Sequence, residues 1–298
     1  MQHELLIAVL AGLGGMLGWG LADFFAKKTI DKVGDVASLA WGHIFGTTVL
    51  LIMLLYQVLV ARQHIAFSSD AKTWLLLLLF GIGQATVYLF VYRGFGKGQI
   101  AVLNPIFASF SGLTALLSIV VFREQVSAYM IAGLAVLFIG IILISTDFAS
   151  LRLRKISFSH IPGFNEVVLA TFLAALWTLF WDRVVGGQDW LFYTFCMYTF
   201  MTITILVVAR LQRIKMAVTQ PSLWKFLFLI GLCETVAYLA ISLGYSRTSQ
   251  TSIVALLSGA FSLPVIVLAR VFLKEKITTL QTIGSLVIVA GIMLLAVL

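Results

Sequence analysis

Charge is scarce in this sequence. Of its 298 residues only 11 % are Asp, Glu, Lys or Arg, under half the share of about 25 % usual in a soluble domain, which excludes a water-facing surface of ordinary extent. Proline and cysteine are also few, four and two. Pro-rich linkers and stalks are therefore ruled out. Cys196 and Cys233 have neither CxxC spacing nor a nearby His, which leaves no disulfide framework and no metal site. HExxH and GxSxG are missing, and Gly94-Phe95-Gly96-Lys97-Gly98 lacks the spacing of a phosphate-binding loop. No catalytic residue, cofactor or metal is expected, and an ATP-driven pump or an intramembrane enzyme is disfavoured.

Apolar residues are what the chain has in plenty, at 61 %. They form runs of spanning length at about 5–26, 36–60, 73–92, 99–121, 126–146, 163–181, 190–209, 223–244, 250–272 and 278–298, each near the roughly 20 residues a bilayer requires. Lipid leaves backbone groups unsatisfied unless they bond within a helix or a closed barrel, and the two-residue alternation of a barrel is absent. The expectation is an all-α membrane protein with ten transmembrane helices. Met1 to Glu4 offers no basic leader, so the first span is expected to be retained. The net charge of +8 then reflects topology rather than a nucleic-acid partner.

The chain also repeats itself. Placing Gly81 on Gly231 superposes Tyr88 on Tyr238, Leu89 on Leu239 and Gly94 on Gly244; after a one-residue shift, Glu124 meets Glu275 and Gly140 meets Gly291. Trp19 against Trp177 is a weaker echo. These matches divide the chain into a first five-helix repeat over 1–147, a basic polar linker over 148–161 and a second repeat over 162–298. Five spans per unit require the copies to cross in opposite directions, so the pattern predicts two inverted five-helix repeats. Fifteen of the 20 Lys and Arg follow odd-numbered helices, which by the positive-inside rule places both termini outside the cytoplasm.

Gly18-Trp19-Gly20, a basic Lys27 eight residues after the Trp, and Glu124 and Glu275 between the last two helices of each half resemble EamA-type transporters of the drug/metabolite superfamily. That resemblance implies a multi-pass protein of the cell (inner) membrane. It also implies that a small-molecule substrate, such as an amino acid, sugar, nucleotide-linked metabolite or drug, moves through a central cavity as the halves rock. The second half departs from the motif, because Asp182-Arg183 follows Trp177 with no Lys at the matching place.

Polar side chains at membrane depth are costly, so each is a site candidate. Gln84, Tyr88 and Tyr92 recur every four residues, as do Glu234, Tyr238 and Ser242 at the matching repeat positions. Two such stripes can line one cavity or glue helices together. Glu234 has no cation within a turn and is the strongest candidate for a substrate or proton site. Trp19, Asp23 (paired at i+4 with Lys27), His43 and Asn104 complete the proposed substrate or proton-binding set. Pro105 and Pro264 are candidate hinges, since each removes a backbone hydrogen bond. Gly14 and Gly18, and the pairs Gly133/Gly140 and Gly284/Gly291, suit close helix packing or the face of a homodimer. The function expected is a secondary transporter, exporter or importer, possible proton coupling included; the alternative is a passive facilitator or channel.

Overall fold

The computed structural model describes residues 2–65, 70–97, 103, 106–145, 162–272 and 279–296. Asn104, Pro105, Glu275, the 148–161 linker and the side chain of Lys27 lie outside the described residues. The described chain is all-α. Its helices are α1 (Gln2–Val33), α2 (Asp35–Leu55, continued by a π turn at Tyr56–Val60), α3 (Ala71–Lys97), α4 (Phe110–Val121), α5 (Ala128–Ser145), α6 (Phe164–Val185), α7 (Trp190–Leu211), α8 (Trp224–Arg247), α9 (Thr251–Gly259), α10 (Ser262–Phe272) and α11 (Thr279–Ala296). Several boundaries follow from local chemistry. Gly34, at φ 87° and ψ 161°, takes a positive-φ extended conformation open to glycine, and this separates α1 from α2. Asp189 caps α7 by accepting the Phe192 N–H at 3.1 Å.

Ten spans as two inverted five-helix repeats is not what this structure shows. Among the described residues six helices are long and apolar enough to cross a membrane: α1, α2, α3, α6, α7 and α8. The other apolar runs form shorter helices. α5 and α11 have 18 residues each, about 27 Å at 1.5 Å per residue against a hydrocarbon core of about 30 Å. The run at 250–272 is broken into pieces of nine and 11 residues. The cause is Pro264, which has no N–H to give the carbonyl of Ala260 four residues earlier. Leu263 N–H takes that carbonyl instead, at 2.9 Å, and closes a tight turn. The assignment of termini by odd and even connections presupposed ten crossings and falls with them.

Packing joins the two ends of the sequence. α1 lies on α8, α9 and α10; α3 lies on α6 and α7; α2 packs against α7 and α8, and α4 against α9. Small residues allow the close approaches. A Cβ on Gly14 would meet the Ala240 Cβ at 2.6 Å, and one on Gly18 the Cys233 carbonyl at 2.6 Å. Gly140 and Gly291 are likewise occupied within the chain, closing α5 and α11 on each other.

Side-chain contacts define two faces. At one, Gln57 meets Asp189, Ser249 meets Glu4, and Arg183 lies over Phe122. At the other, Lys28 lies over Phe226, Lys97 pairs with Glu166, and Trp41 reaches Met216. Among the described residues the first face carries Arg62, Lys72, Arg123, Arg183 and Arg247 against Glu4, Asp70, Glu124, Asp182 and Asp189. The second carries Lys28, Lys32, Arg93, Lys97, Arg210, Arg213, Lys215 and Lys225 against only Asp35 and Glu166. We refer to them as the balanced and the basic face.

Candidate functional site

α1, α3, α4 and α6 enclose a chamber between the two faces. Its walls are Trp19, Asp23, Gln84, Tyr88, Tyr92, Phe107, Phe110, Thr178 and Phe261. A carboxyl, an amide and two phenols thus converge inside aromatic walls. Three rings surround Trp19 edge-on, those of Phe110, Tyr238 and Phe261, at centroid distances of 6.3, 5.8 and 6.5 Å, the geometry favoured by aromatic quadrupoles. Only about 20 Å³ is open within the chamber, room for about one water. Two of its polar atoms, Trp19 Nε1 and Gln84 Oε1, are buried without a hydrogen-bond partner among the described residues. Such groups normally find partners.

Glu234 stands behind this chamber. Its neighbour Tyr238 forms the partition: the Gln84 amide donates to the Tyr238 hydroxyl at 2.7 Å. On the far side Tyr198 donates its hydroxyl to Glu234 Oε2 at 2.9 Å, and His43 Nε2 lies 3.6 Å from the same oxygen. The His43 ring stacks on Tyr198, with centroids 4.8 Å apart and planes at 9°. His43 Nδ1 is 2.9 Å from the Leu39 carbonyl. A carbonyl only accepts, so Nδ1 carries a hydrogen and Nε2 faces the carboxyl. At 3.6 Å the pair is too long for a hydrogen bond, and His43 Nε2 is buried without a hydrogen-bond partner among the described residues. The three side chains therefore form one buried cluster, separated from the chamber by one phenol.

Close backbone approach brings this group together. A Cβ on Gly231 would sit 2.2 Å from the Gly42 carbonyl and 2.6 Å from the Gly46 nitrogen, so α2 and α8 touch through backbone beside His43 and Glu234. Thr235 donates to the Gly46 carbonyl at 3.2 Å, and Thr47 shares a hydrogen bond with Thr202 at 2.8 Å.

The residues singled out by sequence sort accordingly. Trp19, Asp23, Gln84, Tyr88 and Tyr92 line the chamber, while Glu234 and His43 meet behind it, with Tyr238 between. Ser242 stands apart, accepting the Trp181 indole N–H at 3.1 Å. Pro264 sits at the α9–α10 break and its ring faces Gly20 of α1. Tyr198 was not among the candidates. Its signal was present nonetheless: Thr194, Tyr198 and Thr202, spaced by four, make a third polar stripe in an apolar helix.

The EamA-like transporter family model matches the chain twice, over residues 6–146 and 164–297. The chain belongs to the EamA-like transporter family. It is accordingly a multi-pass integral membrane protein and a transporter of small solutes rather than an enzyme. Among curated proteins no sequence matches this family member. A solved structure described as "Crystal structure of protein" superposes with a TM-score of 0.77 at 16 % identity, covering 96 % of this chain and 97 % of that one. At that identity the likeness concerns the fold alone.

Proposed function

We propose that the protein is a secondary transporter that carries a small solute, such as an amino acid, an amine or a drug-like molecule, by alternating access through the aromatic chamber. In this reading Asp23, Gln84, Tyr88, Tyr92 and Trp19 meet the solute, and Glu234 with His43 and Tyr198 holds a coupling proton. The observation that carries the reading is that polar groups converge in a chamber already shut to anything larger than about one water. A channel needs a continuous polar path, whereas a carrier needs walls that part on one side at a time. Asp23 supplies a carboxyl for a basic group, and the aromatic walls suit an apolar body.

The test uses purified protein in proteoliposomes with radiolabelled amines and amino acids. Saturable uptake accelerated by unlabelled solute on the far side is expected, and flux rising linearly with concentration would establish a channel instead. Glu234→Gln is expected to abolish the pH dependence of uptake. If uptake and its pH profile are unchanged in that variant, the proton role is lost while the carrier reading survives.

A further inference from the structure

At the basic face, where α7 ends, a groove of about 430 Å³ is lined by Leu206, Ala209, Arg210, Arg213, Ile214 and Met216. The helix closes there with Arg213 in the left-handed conformation, at φ 54°. Arg213 N–H bonds the Arg210 carbonyl at 3.1 Å, and Ile214 N–H bonds the Ala209 carbonyl at 2.9 Å. That turn brings both arginines to one groove. Neither has an ion-pair partner among the described residues. The inner wall is held in place by the Trp41 indole, which donates to the Met216 carbonyl at 2.9 Å and packs edge-on against Trp224, with centroids 4.7 Å apart. Tryptophan is enriched at headgroup level in membrane proteins. Below the arginines the surface is apolar and open: Leu206 and Val207 are exposed.

We propose that this groove binds an anionic phospholipid, with the phosphate between Arg210 and Arg213 and an acyl chain along Leu206. Two unpaired guanidiniums above an exposed apolar strip match the two parts of that molecule, and guanidinium is suited to phosphate geometry. The excess of basic residues on this face adds long-range attraction for an anionic headgroup.

Lipid retention by the full-length protein is to be read by native mass spectrometry after equilibration with mixed phosphatidylglycerol and phosphatidylcholine. The comparison is with Arg210→Gln/Arg213→Gly, in which glycine suits the backbone, and with Arg62→Gln/Lys72→Gln on the balanced face. Phosphatidylglycerol is expected to be retained over phosphatidylcholine, about thirtyfold less tightly once the two groove charges are gone, and unchanged in the balanced-face variant. Equal retention of both lipids by the wild type, or undiminished phosphatidylglycerol retention by the groove variant, overturns the proposal. Displacement of the lipid by millimolar inorganic phosphate alone would overturn the role given to the acyl chain.

Discussion

Glu124 accepts both the backbone N–H of Ser252, at 3.1 Å, and its hydroxyl, while the Ser118 hydroxyl donates to the same carboxylate. A residue from the 6–146 match thereby caps the start of α9 in the 164–297 match. Above this contact, on the balanced face, lies a vestibule of about 470 Å³ lined by Glu124, Asp182, Arg183 and the buried Tyr245, among others. Below it, Thr114 donates to the Ala175 carbonyl at 3.3 Å, and then comes the chamber wall at Phe110 and Thr178. Vestibule and chamber thus share α4 and α6, with the Glu124 contact between them.

Removing the carboxylate is therefore expected to loosen the balanced face. Charge-assisted hydrogen bonds contribute about 1.5–3 kcal/mol each, so Glu124→Ala should raise labelling of a Thr178→Cys reporter from that face by about tenfold. The measurement is reaction with a membrane-impermeant maleimide in a background lacking Cys196 and Cys233. Unchanged labelling would show that the contact only caps α9.

The same reporter has a defined pH dependence. Burial holds the Glu124 carboxyl above the usual carboxylate range, against the Ser118, Ser252 and Arg183 contacts that lower it. An opened face would return the carboxyl to water and to its ordinary value. The closed form thus binds the proton more tightly, and falling pH favours closure. Labelling, corrected with an exposed cysteine, should decline on acidification in the wild type and lose this slope in Glu124→Gln.

Backbone contact between α2 and α8 gives a stability prediction. A methyl group at Gly231 meets main-chain atoms of Gly42 and Gly46, which cannot rotate aside. Gly231→Ala should cost at least about 1–3 kcal/mol, as overpacking does, with a lower Tm in detergent. Gly96→Ala, where nothing lies within 4 Å, should leave Tm unchanged or slightly raised.

Membrane residence and the all-α class were legible from apolar run length, because lipid permits little else. Run length failed where a run is interrupted by bonding rather than by polarity: the break at Ala260 is silent in hydropathy and follows from Pro264 lacking one N–H. At the site, four-residue spacing grouped Gln84 with Tyr88, which share one chamber wall, but spacing within a helix cannot say which helix lies opposite. It placed Glu234 and Ser242 on one stripe, whereas α7 covers Glu234 through Tyr198 and Trp181 occupies Ser242. The contact between His43 and Glu234 depends on glycines of two helices separated by nearly 200 positions, which no local pattern encodes.

Tyr198→Phe tests the proposed proton role of the Glu234 cluster apart from the chamber. The ring and its stacking on His43 remain, while Glu234 loses its hydroxyl donor. Leaving a buried acceptor short of a partner costs about 1–3 kcal/mol. Tm should fall, and the pH midpoint of uptake should move with KM unchanged, since Tyr198 does not line the chamber. A changed KM with a fixed midpoint would place Tyr198 in solute binding.

Gln84 offers the opposite trade. Its amide nitrogen donates to the Tyr238 hydroxyl, whereas its Oε1 is buried with no partner among the described residues. An unsatisfied buried acceptor is a standing cost that a solute donor would relieve on binding. Gln84→Leu keeps the volume and deletes that acceptor together with the donor to Tyr238. The relieved acceptor offsets the bond lost by Tyr238, so the empty protein should keep its Tm in detergent, while uptake should fall by about tenfold in kcat/KM because the solute loses one hydrogen bond. A site shaped for its solute rather than for its own stability has both signatures together. A lower Tm with unaltered uptake would instead make Gln84 a strut between α3 and α8.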